Sequence, residues 1–233
     1  MGIFHSLLRS EWTKLRRSGI WLLAPVSPLL CILLGFGAVA EGEPGLDWQL
    51  ILSYMFFLHA VLFLPLLAGV YAAFVCRYEH DNGGWKQLLA LPVSRESVYV
   101  VKFLSVAALL AVTQLLFVAG VLAVGFGGGL PGAVPWRMIV QVGVGGFLAS
   151  LPLAALQLAV SVGWASFAAP LAINVILTIP NVLIVQSSKY GPYYPWAQPF
   201  LASMPDWKFP LIVGAGFVVF FLSGFVYFRR LEI

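Results

Sequence analysis

Charge is scarce in this chain. Of 233 residues, only 13 are Lys or Arg and 9 are Asp or Glu, against roughly one charged residue in four in soluble domains. A water-soluble fold of this length leaves about 30% of its unfolded surface exposed, and there is too little polar side chain here to cover it. The solvent must therefore be lipid. Cysteine is scarce too: Cys31 and Cys76 lie inside apolar runs, with no second Cys or His at ligand spacing, and read as buried thiols with no metal site. The sequence also lacks a Gly-x-Ser-x-Gly elbow, a His-Glu-x-x-His helix and a Gly-x4-Gly-Lys-Ser/Thr phosphate loop. No catalytic residues are assigned, and the chain has no ATP site of the usual kind. Its basic residues flank apolar runs and form no stripe interleaved with aromatics, which speaks against nucleic acid.

What is abundant is apolar sequence. Runs long enough to cross a bilayer, about 20 residues each, fall near 20–40, 50–76, 103–125, 138–160, 167–187 and 211–228. These predict an all-α, polytopic membrane protein, one transmembrane domain over 1–233 with six crossings. The fourth and fifth runs are separated only by the uncharged stretch from Ser161 to Ser166, so the count is tested by charge. With both termini in the cytoplasm, Arg9, Lys14, Arg16, Arg17, Arg77, Lys86, Arg95, Lys102, Arg229 and Arg230 lie inside and only Arg137, Lys189 and Lys208 outside, as the positive-inside rule requires. Five crossings would strand Arg229 and Arg230 outside. Ala38-Val39-Ala40 has the look of a leader cleavage site, but the preceding basic region and the run itself are too long for a secretory leader, so the first span is expected to be retained. Prolines 25, 28, 65, 152, 170 and 180 fall in the runs and predict kinks whose freed carbonyls neighbours must satisfy.

Within these run boundaries there is no Asp, Glu, Lys or Arg, and the only imidazole is His59. Ion-coupled carriers usually keep intramembrane carboxylates or a basic partner for the coupling ion, so an ion-gradient carrier is not the reading. His59, with no acid beside it, is expected to be a neutral, hydrogen-bonded bundle residue.

Three stretches carry the remaining information. Residues 1–18 place Phe4, Leu8, Trp12 and Leu15 on one helical stripe, with Arg9, Lys14, Arg16 and Arg17 largely off it, which predicts an interfacial amphipathic helix. The segment 77–102 contains a turn at Asp81 to Gly84, about two helical turns from Trp85 to Leu91, and Pro92 to end them. Trp85, Leu88 and Leu89 share a face there, which suits packing on the chain's own bundle or filling a groove on a soluble partner. The external segment 188–210 carries Tyr193-Tyr194-Pro195-Trp196, the composition of an interfacial belt or of an external gate. Glu79, His80 and Asp81 are adjacent on a loop and do not converge as metal ligands.

Glu79, Asn82-Gly83-Gly84-Trp85-Lys86-Gln87-Leu88-Leu89-Ala90-Leu91-Pro92-Val93-Ser94-Arg95, Tyr99 and Lys102 resemble the first cytoplasmic loop of type-2 ABC transporter permeases. Glu11, Trp12, Lys14, Arg16 and Arg17 resemble the entry helix of that family, and Tyr193 to Pro199 resembles its lantibiotic and bacteriocin-immunity branch. The resemblance implies a coupling helix that docks an ATPase subunit through Glu79, Gly84, Trp85, Leu88, Leu89, Pro92 and Arg95, with Glu79 and Arg95 positioning it by charge. It implies a possible external gate or cargo contact at Tyr193, Tyr194, Pro195 and Trp196. It further implies no cofactor on this chain, ATP and Mg on the partner subunit, a second permease copy or homologue, a bacterial plasma membrane, and an amphipathic peptide cargo of the antibiotic type. Another drug or a lipid as cargo, or a non-transporting sensor that signals through the loop, are the alternatives.

Overall fold

A computed structural model of the chain describes residues 2–42, 44–204 and 207–231; Met1, Pro205 and Asp206, which fall within the predicted stretches 1–18 and 188–210, lie outside the described residues. Among the described residues every regular element is helical. Helix α1 (Ile3–Arg17) leads through a 3-10 turn, Gly19–Leu23, into α2 (Val26–Glu41). A long helix α3 (Trp48–His80), the short α4 (Gly84–Leu89), and long helices α5 (Arg95–Gly127) and α6 (Trp136–Gly163) follow. The chain then forms α7 (Ala168–Thr178), α8 (Asn181–Ile184), α9 (Gln198–Leu201) and α10 (Phe209–Arg230).

Among the described residues five segments are long and apolar enough to cross a membrane: Gly19–Glu41, Trp48–His80, Arg95–Gly127, Trp136–Gly163 and Phe209–Arg230. The fifth of the six predicted runs is a shorter apolar segment, Ala168–Ile184, broken at Pro180. At 1.5 Å per residue it reaches about 25 Å, less than the roughly 30 Å of a hydrocarbon core. Proline has no N–H and restricts the residue before it; the run breaks at Pro180, whereas α3 and α6 continue through Pro65 and Pro152.

Helix α6 is central, packed against α3, α5 and α10, while α2 lies along α5. Helix α7 runs antiparallel to α3: Phe167 meets Phe74 edge to face at 5.1 Å, Asn174 Nδ2 donates to the carbonyls of Pro65 and Leu66, and Asn181 Nδ2 donates to Val61 O at 2.8 Å. The last contact has a covalent cause. Pro65 cannot donate to the carbonyl four residues before it, and the Asn181 amide takes that place. Asp47 caps α3 by accepting from Leu50 N at 2.8 Å, and Ser94 caps α5 by accepting from Ser97 N.

Two wide π turns interrupt the long helices, His59–Phe63 in α3 and Gln141–Gly145 in α6. Gln114 of α5 stitches them together. Its Oε1 lies 2.6 Å from His59 Nε2, and its Nε2 donates at 3.1 Å to the carbonyls of Val142 and Gly143. With the amide so oriented, Oε1 can only accept, so His59 carries its proton on Nε2 and Nδ1 accepts from Ser27 Oγ at 2.7 Å. The ring also stacks on Phe117 at 4.1 Å. His59 is therefore a hydrogen-bonded bundle residue that ties α2, α3, α5 and α6 together. Cys31 and Cys76 are buried free thiols.

Candidate functional site

Helices α3 and α5 both extend past the predicted run boundaries, so the connection between them is only 81–94, narrower than the predicted 77–102. Glu79 and Lys102 accordingly lie within continuous helix. Both lie just beyond the charge-free runs 50–76 and 103–125, on helix that continues past them. Lys102 is 1% exposed and Glu79 and Glu11 are each 3% exposed.

These residues and Lys14 close a ring of alternating charge. Glu79 accepts from Lys14 Nζ at 2.6 Å through Oε1 and from Lys102 Nζ at 2.7 Å through Oε2. Glu11 accepts from Lys14 at 2.6 Å and faces Lys102 at 3.4 Å. Lys102 also donates to Val75 O at 2.8 Å. Two carboxylates and two ammoniums sum to zero, and each buried charge has opposite neighbours, the condition under which such groups are tolerated away from water. The ring joins α1, α3 and α5.

The short helix α4 sits on this ring. Asp81–Gly83 form one 3-10 turn, and Gly83, at φ +70°, caps α4 in the left-handed region that a side chain disfavours. Gly84 has a different reason to be glycine, because a Cβ there would stand 2.7 Å from Tyr78 O and 2.8 Å from Glu79 Cα. The Trp85 ring is 4% exposed, lies 5.4 Å from Lys102 Nζ as a cation–π partner and packs 5.3 Å from Phe228. Its Nε1 donates to His80 Nδ1 at 3.2 Å.

Trp85, Leu88 and Leu89, which share one apolar face, turn it toward the chain's own bundle: Trp85 points inward and Leu88 and Leu89 pack partly against the core. The outward surface is made by Lys86, Gln87, Ala90, Leu91 and Pro92, with Leu91 55% exposed. Glu79 holds the loop from beneath, through Lys102 and Trp85. Arg95 acts elsewhere: its Nη1 donates to Leu231 O at 2.5 Å, with Phe228 O and Arg229 O at 3.5 Å, joining the start of α5 to the end of α10. Glu96 pairs with Arg229 at 3.0 Å beside it. Glu79, His80 and Asp81 diverge, to the ring, to Ser161 O and to Arg77 respectively.

Helix α1 turns Leu7, Glu11 and Leu15 to the protein and leaves Phe4 and Trp12 exposed, Trp12 meeting Trp21 edge to face at 5.4 Å. Arg16 and Arg17 are exposed and Lys14 is half-buried in the ring.

At the other polar cluster Tyr193 is exposed, but Tyr194 is partly buried and Pro195 and Trp196 are buried. Trp196 Nε1 and Gln157 Nε2 donate to Asn174 Oδ1 at 2.9 and 3.1 Å, Asn181 Nδ2 donates to Trp196 O at 2.9 Å, and the Tyr194 hydroxyl donates to Leu177 O. The aromatic segment is thus pinned onto the broken α7–α8 run. Sequence reading missed Asn174 and Asn181, whose signal was two amides beside a proline in an apolar run.

The fold is that of a multi-pass helical membrane protein with a buried ring of four charges beneath one short helix. The family model described as ABC-2 family transporter protein matches residues 7–181, and the chain belongs to that family. Membership makes it a transport permease, the generally non-catalytic membrane component, of a kind that associates with ABC ATPases in general. No curated protein matches the chain.

Proposed function

We propose that this chain is the membrane-spanning subunit of an ATP-driven exporter in a bacterial plasma membrane, with α4 as the coupling helix for a separate ATPase subunit and both termini in the cytoplasm. The observation that carries the proposal is the anchoring of α4: Trp85 holds it to Lys102 of the charge ring and to Phe228 of α10. A push on the loop therefore reaches α1, α3, α5 and α10 at once. The docking surface is the outward face of Lys86, Gln87, Ala90, Leu91 and Pro92, while Gly84, Trp85, Leu88 and Leu89 fix its position. In this reading the short Ala168–Ile184 segment is the sixth crossing, which keeps Arg229 and Arg230 on the positive side, and a second copy or a homologous permease completes the transporter.

The cargo is a membrane-active peptide of the lantibiotic type that enters from lipid. An apolar cleft of about 330 Å³ between α6 and α10, lined by Leu148, Phe209, Val213 and Phe217, supports lateral entry. The Tyr194–Trp196 segment is the outer gate element, and Tyr193 the residue of that stretch exposed to cargo.

The test is a detergent pull-down of the tagged chain from its native cells, comparing wild type with Leu91→Asp. Leu91 is chosen over Leu88 because its side chain faces outward, so a charge there disturbs docking rather than packing. An ABC ATPase should co-elute with the wild type and be lost from the variant. A wild-type protein that brings down no ATPase would replace the exporter by a membrane sensor.

A further inference from the structure

A cavity of about 260 Å³ opens at the same end of the bundle as α4, between the end of α3 and the 164–167 connection that leads into α7. Its cation is Arg77, whose guanidinium lies 5.4 Å from the Phe167 ring and 5.9 Å from that of Phe74. The carboxylate of Asp81 also lines the cavity. It stands 3.9 Å from Arg77 with both side chains more than half exposed, a loose pair that leaves most of the guanidinium donors unengaged. Ser161 lines the wall with 1% exposure, and its hydroxyl has no hydrogen-bond partner among the described residues. The first turn of α7 begins beside it without a side-chain cap, so the N–H groups of Ala168 and Ala169, though not of Pro170, and the positive end of the helix dipole remain available. A cation, a buried unsatisfied hydroxyl and an uncapped helix start together call for an oxyanion.

The surroundings select its source. Trp164 is exposed at the rim, and Val175, Ile176, Ile179 and Leu183 form an exposed apolar strip along the α7–α8 run that leads away from the cavity. Free phosphate has no use for such a strip, whereas an acyl chain does. We propose that this cavity binds the phosphate headgroup of an anionic phospholipid. His80 makes the site heard by the loop: its Nε2 donates to Ser161 O at 2.8 Å in the cavity wall, and its Nδ1 accepts from Trp85.

Native mass spectrometry of the full chain released from detergent tests this, with phosphatidylglycerol, phosphatidylcholine and inorganic phosphate as probes. The wild type should retain phosphatidylglycerol over phosphatidylcholine. Arg77→Gln should lower that retention about fivefold, the worth of one basic residue at an anionic surface, and Asp81→Asn should raise it. Thermal unfolding in detergent should be unchanged in both, which shows that the variants are folded. Equal phosphatidylglycerol retention by wild type and Arg77→Gln would overturn the site. Displacement of the lipid by millimolar inorganic phosphate would overturn the lipid as its source. The readout involves no ATPase, so it stands or falls separately from the docking of α4.

Discussion

Lys102 Nζ stands 2.7 Å from Glu79 Oε2, and this pair lies under the indole of Trp85. The link between the outward loop and the bundle is therefore electrostatic at its centre and aromatic at its edge. Losing one member of the ring leaves an uncompensated buried charge, which is far more costly than losing the pair.

Lys102→Met should destabilise the protein by about 3–5 kcal/mol, and Lys102→Met with Glu79→Gln by clearly less, because the double variant restores neutrality. Thermal unfolding in detergent of wild type, both singles and the double gives the coupling directly. Additive losses would mean that the ring does not act as a unit.

His59→Ala removes the donor to Gln114 Oε1 and the acceptor for Ser27, both buried. Unsatisfied buried groups cost about 1–3 kcal/mol each, so the variant should melt well below wild type. Adding Ser27→Ala should recover part of the loss. Hydrogen exchange should show the opening centred on the two π turns, and uniform loosening along α3 would count against Gln114 as their link.

Asn174→Leu strips two backbone carbonyls of α3 of their donor and leaves Trp196 Nε1 and Gln157 Nε2 unpaired. The branched side chain must also fit where Asn174 already crowds Gly69, at which a Cβ would stand 2.2 Å from Asn174 Nδ2. Trp196 should become accessible to an aqueous quencher in the variant and not in wild type. Fluorescence of proteins carrying Trp196→Phe in each background isolates its signal.

Hydropathy was enough to read the all-helical architecture and the five helices long and apolar enough to cross a membrane, because lipid forces every span to be long, apolar and self-bonded. It missed the ring because run boundaries were drawn at the first charge. A helix does not end there when the charge is neutralised by a neighbour. Lys102 sits on the buried stripe of Tyr99, Val106, Leu109 and Thr113, and that periodicity marks it as an interior lysine. The inward turn of Trp85 was not legible, since a two-turn helix offers either face and Phe228, far off in sequence, decides which. The pinning of Trp196 likewise depends on Asn174 and Asn181 meeting it across the break at Pro180.

Helices α3 and α5 are each 33 residues long, about 50 Å at 1.5 Å per residue against a hydrocarbon layer of roughly 30 Å. Even with tilt, a good part of each rod stands clear of the lipid, and the ion ring clamps both rods near the end that carries α4. A small tilt imposed at that clamp is magnified along the rods toward their far ends, where α2 and the start of α6 pack against them. The pair thus has the proportions of a tong gripped at one end.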